Sequence, residues 1–113
     1  MHKASRITLV VLVAVSAVSL ELFAADTPRN VDYSFSGGDG STLDAAVIVH
    51  ATDETVGIRA EYAWIKERWP GSRRGRQGLI TKNNRVYDAL TITDSAGQER
   101  TLYFDITEYF GKL

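Results

Sequence analysis

The chain has 113 residues, and its 13 basic and 14 acidic side chains leave a formal net charge of −1 at pH 7. This length leaves no room for two domains, and the charge balance gives no support to general nucleic-acid binding. The absence of cysteine excludes disulfide bonds, thiol catalysis and thiolate metal sites.

The N-terminal segment has the pattern of a secretory signal peptide. Basic residues near the start are followed by an uncharged apolar segment, Ile7 to Leu20, and then by polar sequence. As a helix this segment spans about 21 Å, less than the roughly 30 Å of a bilayer core. We therefore expect a signal peptide over residues 1–25, cleaved after Ala24 or Ala25 or retained as an anchor. The mature protein is expected to be periplasmic or secreted, and its lack of cysteine favours a bacterial source.

The first part of the mature chain predicts a leader, a turn and a strand. Residues 26–35 read as an N-terminal leader, or as a short edge strand because apolar side chains alternate at their end. Ser36–Thr42 is rich in glycine and indicates a turn, with an anion cradle or a cation loop around Asp39 as the alternatives. Ala45–Ala51 is apolar and β-branched, which predicts a buried strand. His50 lies at its end, as a structural residue or as a base served by carboxylates from elsewhere.

A helix is predicted over residues 53–71. Asp53 is a good N-cap, and Pro70 with Gly71 ends the helix. One apolar stripe is expected to face the sheet and consists of Ile58, Tyr62, Ile65 and Trp69. A second apolar patch lies on roughly the opposite side, so the helix is expected to be sandwiched, or covered on one side and partly on the other; this patch consists of Val56, Ala60, Ala63 and Trp64. Glu61 borders this stripe and is expected to be a solvated flank, with a functional carboxylate as the alternative.

The C-terminal half predicts a basic loop followed by a meander of strands. Gly71–Gly78 holds three arginines between glycines and is expected to be a mobile loop. Turn signals at residues 82–85 and 94–97 separate three predicted strands, which are Leu79–Thr81, Val86–Thr93 and Arg100–Thr107. The second turn and the apolar pattern together place Leu90 opposite Leu102 on the core face.

Two carboxylates of this meander are candidates for a role. Asp88 falls on the core face opposite Phe104, either as an anchor that accepts backbone N–H bonds or as a group with a raised pKa. Asp105 falls on the other face of the sheet. This register argues against Asp88 and Asp105 as a catalytic pair.

The order of motifs resembles a group of small uncharacterised bacterial exported proteins. The likeness covers residues 36–112 and rests on GGDGST before an apolar strand, then AEYAWI, a basic glycine-rich loop, VYD and YFDITEYFGK. No activity is known for that group. The resemblance therefore implies one compact domain and nothing about mechanism.

The sequence as a whole predicts an α+β fold. One main helix packs on an antiparallel sheet of about four strands, in two layers with a single core, over residues 36–113. The leading hypothesis for function is a binding module, such as an inhibitor or accessory protein, because aromatic and arginine side chains dominate protein interfaces. The expected surface consists of Trp64, Arg68, Trp69, Arg73, Arg74 and Arg76. The expected partner is another envelope or secreted protein or an anionic ligand, and neither a metal nor a cofactor is predicted.

Two further hypotheses belong to other functional classes. A small hydrolase would use carboxylates from among Glu61, Asp88 and Asp105, together with His50. A structural envelope protein would instead assemble through an exposed edge strand.

Overall fold

A computed structural model describes residues 32–113, so the predicted signal peptide and most of the predicted leader lie outside the described residues. These residues form one helix and five strands. The helix, α1, is Glu54–Arg68, and the strands are β1 (Ser34–Gly37), β2 (Val47–His50), β3 (Arg73–Lys82), β4 (Arg85–Thr93) and β5 (Glu99–Asp105). The α+β class predicted from the sequence is therefore confirmed.

The sheet is mixed and has five strands in the order β1-β2-β5-β4-β3. The prediction of an antiparallel sheet of about four strands was wrong on both counts. The additional strand is β1, which begins in the segment read as a leader and pairs with β2. Strands β2 and β5 are parallel neighbours. The chain between them passes through α1, β3 and β4. An apolar run of four residues carries no information on strand direction, so the sequence could not reveal this pairing.

The helix begins and ends where its capping residues predict, but it buries a different face. The Asp53 carboxylate accepts a hydrogen bond from the Val56 backbone N–H at 2.9 Å, and Trp69 is the C-cap. Ile58 and Tyr62, expected in the core, are 41% and 42% exposed. The buried helical residues are Gly57, Ala60, Glu61, Trp64 and Ile65. Ala60 and Trp64 belong to the second apolar patch of the sequence, so the helix buries that side and not the stripe that was expected to face the sheet.

The core lies between α1 and the face of the sheet that carries alternate residues of β2, β4 and β5. Leu90 pairs with Leu102 and Asp88 pairs with Phe104, so the predicted register of the hairpin is confirmed. The cluster consists of Val47, Val49, Ala51, Ala60, Trp64, Ile65, Leu90, Ile92, Leu102, Phe104, Ile106 and Tyr109. No helix in the described part of the chain is long and apolar enough to cross a membrane.

The segment Gly71–Gly78, predicted as a mobile basic loop, is mostly strand. The first residues of β3, from Arg73, pair with the end of β4, and the register shifts at a bulge between Arg74 and Gln77. Asn83 and Asn84 both have positive φ, 53° and 62°, as a two-residue hairpin turn requires. This tight turn continues the pairing beyond Leu79, and the arginines therefore lie on an edge strand.

Candidate functional site

A hollow of about 240 Å³ opens between the second half of α1 and the start of β3. Its walls combine aromatic, apolar and basic side chains. The lining residues are Tyr62, Ile65, Lys66, Trp69, Gly71, Ser72 and Arg74. The helix places Tyr62, Ile65, Lys66 and Trp69 on one side because these positions are three or four residues apart. The turn that follows, with Gly71 at φ 80°, directs the chain back into β3 on the other side.

Arginine side chains are stacked on aromatic rings around this hollow. The Arg74 guanidinium lies 3.7 Å from the centroid of the Tyr62 ring, and Arg100 lies 4.8 Å from that of Trp69. Stacking of this kind holds a long side chain in place. Arg100 also donates to Asp94 and Gln98, whereas Arg74 has no carboxylate within 4.0 Å among residues 32–113. The hollow is therefore lined by one guanidinium group of restricted mobility, that of Arg74, beside the exposed ring of Tyr62.

The structure brings only some of the predicted binding residues to this surface. Trp69 and Arg74 line the hollow. Trp64 is 7% exposed and packs edge-to-face on Phe104, with ring centroids 5.4 Å apart, so it belongs to the core. Arg68 covers the Trp64 ring at 5.3 Å. Two predicted residues, Arg73 and Arg76, lie on β3 and are exposed. The sequence reasoning missed Tyr62 as a surface residue, and it missed Arg100, which stacks on Trp69.

The basic side chains of β3 differ from the arginines elsewhere in the described residues in whether they form ion pairs. Every described arginine outside β3 lies within 4.0 Å of a carboxylate; the pairs are Arg59–Asp32, Arg68–Glu67, Arg85–Asp105 and Arg100–Asp94. Within residues 32–113, no carboxylate pairs with Arg73, Arg74, Arg76 or Lys82 of β3. The positive charge of this strand is therefore not neutralised by the residues that the structure describes.

Two of the three candidate carboxylates meet beneath the helix. Glu61 and Asp88 are only 1% and 2% exposed, so the expectation that Glu61 is a solvated flank was wrong. The Tyr109 hydroxyl donates to Glu61 Oε1 at 3.1 Å, and Gln77 Nε2 donates to both Asp88 oxygens at 2.8 and 2.9 Å. Asp88 thus accepts from a side-chain amide, and the backbone N–H groups given as an example of an anchor's donors do not supply these two bonds.

Burial and the adjacent Asp88 carboxylate raise the pKa of Glu61 to about 9, although the Tyr109 hydrogen bond opposes the shift. Glu61 is therefore protonated at neutral pH. Its buried Oε2 has no hydrogen-bond donor in the described part of the chain. A proton on this carboxyl group, donated to Asp88, satisfies both side chains. The buried Glu61 carboxyl then carries no charge.

Asp105 lies apart from this pair, as the register predicted. It pairs with Tyr87 across the strands and faces the other side of the sheet from Asp88. Burial raises its pKa, but hydrogen bonds from Arg85 and Thr107 outweigh that effect and hold the pKa below its usual value. Asp105 also lines a second hollow, of about 310 Å³, together with Gly37, Gly38, Leu43, Asp44, Ala46, Ile48 and Tyr87.

His50 takes part in a hydrogen-bond chain that the sequence did not reveal. Ser36 Oγ lies 2.7 Å from His50 Nε2, and His50 Nδ1 lies 3.4 Å from Glu108 Oε1. With the proton on Nδ1, the serine hydroxyl donates to Nε2, which is the order of a nucleophile, a base and an orienting carboxylate. The nearby N–H group of Gly38 donates to a backbone carbonyl, so it offers no oxyanion donor.

Known proteins do not identify the chain, and the described residues hold no metal cluster. Residues 32–113 contain no group of three or more histidine, aspartate and glutamate side chains placed to bind an ion. Comparison with protein-family models, curated proteins and solved structures finds no match. A function is therefore inferred from the geometry of the hollow, the buried carboxylates and the Ser36–His50–Glu108 chain described above.

Proposed function

We propose that the protein is a periplasmic or secreted binding module that recognises an acidic region of another protein. The observation that carries this proposal is the hollow beside β3, where Arg74 stacks on the Tyr62 ring and belongs to a strand whose cations have no carboxylate partner among residues 32–113. The proposal retains the two-layer, single-core arrangement expected from the sequence, with the hollow at one border of the helix.

Tyrosine, tryptophan and arginine dominate the energetics of protein interfaces because they combine large contact area with directional hydrogen bonds. Tyr62 is 42% exposed, although it is a large aromatic residue on a helix that packs against the sheet. Stacking already fixes the Arg74 side chain on the Tyr62 ring, so less conformational entropy is lost when a partner binds. The surface therefore favours a partner with carboxylates beside apolar groups.

Affinity capture with the full chain from an extract of the source cells tests this proposal. We expect one stoichiometric protein partner, and we expect binding to weaken by at least about tenfold in the Trp69→Ala and Arg74→Ala variants. Arg59→Ala is the matched control because Arg59 is an exposed arginine of the same helix that pairs with Asp32 outside the hollow. Equal capture by all three variants would show that this surface does not bind the partner.

The hydrolase hypothesis is the second candidate, and its support lies at Ser36, His50 and Glu108. Glu61 and Asp88 are closed to substrate, whereas the serine–histidine–glutamate chain is exposed. In an ester hydrolysis, Ser36 Oγ would attack the acyl carbon while His50 Nε2 takes its proton. The protonated histidine would then return this proton to the departing alcohol, and water would release the acid. Turnover of p-nitrophenyl acetate that is lost in Ser36→Ala and retained in Ser34→Ala would favour this function over binding alone.

A further inference from the structure

We propose that β3 binds its partner by strand addition, and that the partner segment is extended, acidic and apolar at alternate positions. This inference rests on the proposed function and specifies how the partner is held. Strand β3 is the last strand of the sheet, so one of its edges has no neighbour among the described residues. At ten residues it is the longest strand and spans about 33 Å.

The composition of β3 favours an acidic partner. The strand contains three arginines, one lysine and no carboxylate, although acidic side chains outnumber basic ones over residues 32–113. Charged side chains on an edge strand ordinarily prevent pairing with the wrong chain. The same charges favour a segment of opposite sign, because cross-strand pairs of opposite charge stabilise a sheet and like charges destabilise it.

A second copy of this chain does not fit the same edge. If two β3 strands paired antiparallel over their whole length, Arg73 would oppose Lys82 at both ends of the ladder. A parallel pair in register would place each cation beside its own copy. Both arrangements bring like charges to a cross-strand spacing of about 5 Å without a compensating carboxylate. The occupant is therefore a different chain with negative charge.

The alternation of apolar residues follows from the surface beside the strand. Leu79 pairs with Asp88 and lies on the face of the sheet that carries the helix, yet it is 56% exposed. Ile58 and Tyr62 of α1 are also exposed. An added strand would direct every second side chain towards this face. Apolar residues at those positions would cover Leu79. The intervening acidic residues would lie on the other face of the sheet, where Arg73 and Lys82 pair with Thr93 and Arg85.

Fluorescence anisotropy with synthetic peptides of the length of β3 tests the inference. The first probe alternates glutamate with valine, and its counterpart alternates lysine with valine. Two further versions of the glutamate peptide carry backbone N-methyl groups, one version on every glutamate and the other on every valine. Each version thus loses the N–H donors along one edge of the extended peptide and keeps its charge. We expect the glutamate peptide to bind, the lysine peptide not to bind, and only one of the two N-methylated versions to retain its affinity.

Protein variants locate the interaction on β3. Arg76→Glu is expected to weaken binding of the glutamate peptide by about tenfold. The control is Lys112→Glu, which reverses another exposed cation that has no carboxylate partner in residues 32–113 but lies outside β3. Amide hydrogen exchange should slow in Arg73–Lys82 when the peptide binds, because strand addition gives the outward N–H groups new acceptors.

The outcomes separate this inference from the proposed function. Equal binding of both N-methylated peptides would mean that charge alone holds the peptide, which overturns strand addition and leaves an acid-binding surface in place. Absence of peptide binding, with a captured partner that is still lost in Trp69→Ala, would also overturn strand addition. Binding of phosphatidylglycerol vesicles in place of the peptide would assign the cations to a membrane surface and contradict both proposals.

Discussion

At the scale of single residues, the least expected feature is a glutamate buried under the helix. Glu61 has hydrogen-bonding partners that allow it to be neutral, because Tyr109 donates to one oxygen and Asp88 can accept a hydrogen bond from the protonated other oxygen. A charged carboxylate at 1% exposure would be expensive in this environment. The protonated form removes most of that cost and connects α1 to β4.

The raised pKa of Glu61 predicts a dependence of stability on pH. An unfolded glutamate ionises near 4.5, whereas Glu61 in the fold ionises near 9. Between these values the folded state holds one more proton than the unfolded state. The contribution of Glu61 to the free energy of unfolding should therefore be fully present below pH 4.5. It should fall by about 1 kcal/mol per pH unit as the pH rises towards 9. Urea denaturation across this range, measured by tryptophan fluorescence, follows the change.

The Glu61→Gln variant isolates this effect. An amide can donate to Asp88 and accept from Tyr109, so it reproduces the protonated carboxyl without titrating. We expect the variant to lose the decline between pH 5 and 9 and to gain stability relative to the natural chain at alkaline pH. Glu67→Gln is the control, because Glu67 lies on the same helix with a side chain that is 82% exposed. A decline of the same slope in Glu61→Gln would show that Glu61 does not cause it.

At the scale of elements, the hairpin between β4 and β5 was predictable in detail. Gly97 has the positive φ that its turn position required, and the Asp94 N–H donates to the Gln98 carbonyl at 2.8 Å. The Asp94 carboxylate accepts bonds from the backbone N–H groups of Ala96 and Gln98 and from the Arg100 side chain. A local motif of this kind depends only on neighbouring residues, so the sequence contains the information.

The prediction for this hairpin concerns its aspartate. Hydrogen bonds from Arg100 and from the loop N–H groups hold the pKa of Asp94 below its usual value. Replacement by alanine should lower the urea midpoint at neutral pH and speed amide exchange in the loop. The difference from the natural chain should shrink as acid protonates the carboxylate. Glu99→Ala in the same hairpin is the control, and an equal loss of stability in both variants would contradict a capping role.

The features that the sequence did not predict depend on contacts with other elements of the fold. Glycine has low strand propensity and the arginines are charged, so residues 73–78 resembled a loop. The Asn83–Asn84 turn aligns them with β4, with which they pair. The face of α1 was misplaced for the same reason, since Gly57 and Glu61 are buried by contacts with Tyr109 and Asp88 far along the chain. The hollow lies between α1 and the start of β3, so the residues that line it could not be predicted without the positions of these two elements. Trp69 and Arg74 were predicted because their residue types suit an interface.

At the scale of the whole molecule, the C-terminal segment connects the end of the sheet to the beginning of the helix. The Glu54 backbone N–H donates to the Lys112 carbonyl at 2.7 Å, and the Gly111 N–H donates to the Glu54 carboxylate at 2.8 Å. Between these bonds and β5, the Tyr109 ring packs against Gly57. The final residues of the chain are therefore part of the folded unit, because they satisfy N–H and carboxylate groups of the first helical turn.

The contact between Gly57 and Tyr109 explains a glycine inside a helix and provides a test of this closure. A Cβ atom at position 57 would overlap the Tyr109 ring. Gly57→Ala should therefore destabilise the protein by about 2 kcal/mol through overpacking, although alanine is the better helix former by about 1 kcal/mol. Gly78→Ala is the control, since no atom lies within 4 Å of the added methyl group. In a Tyr109→Ala background the overlap disappears, so Gly57→Ala should become neutral or stabilising in a double-mutant cycle. If the alanine is equally destabilising with and without the tyrosine ring, the glycine is required by the helix backbone and not by the C-terminal segment.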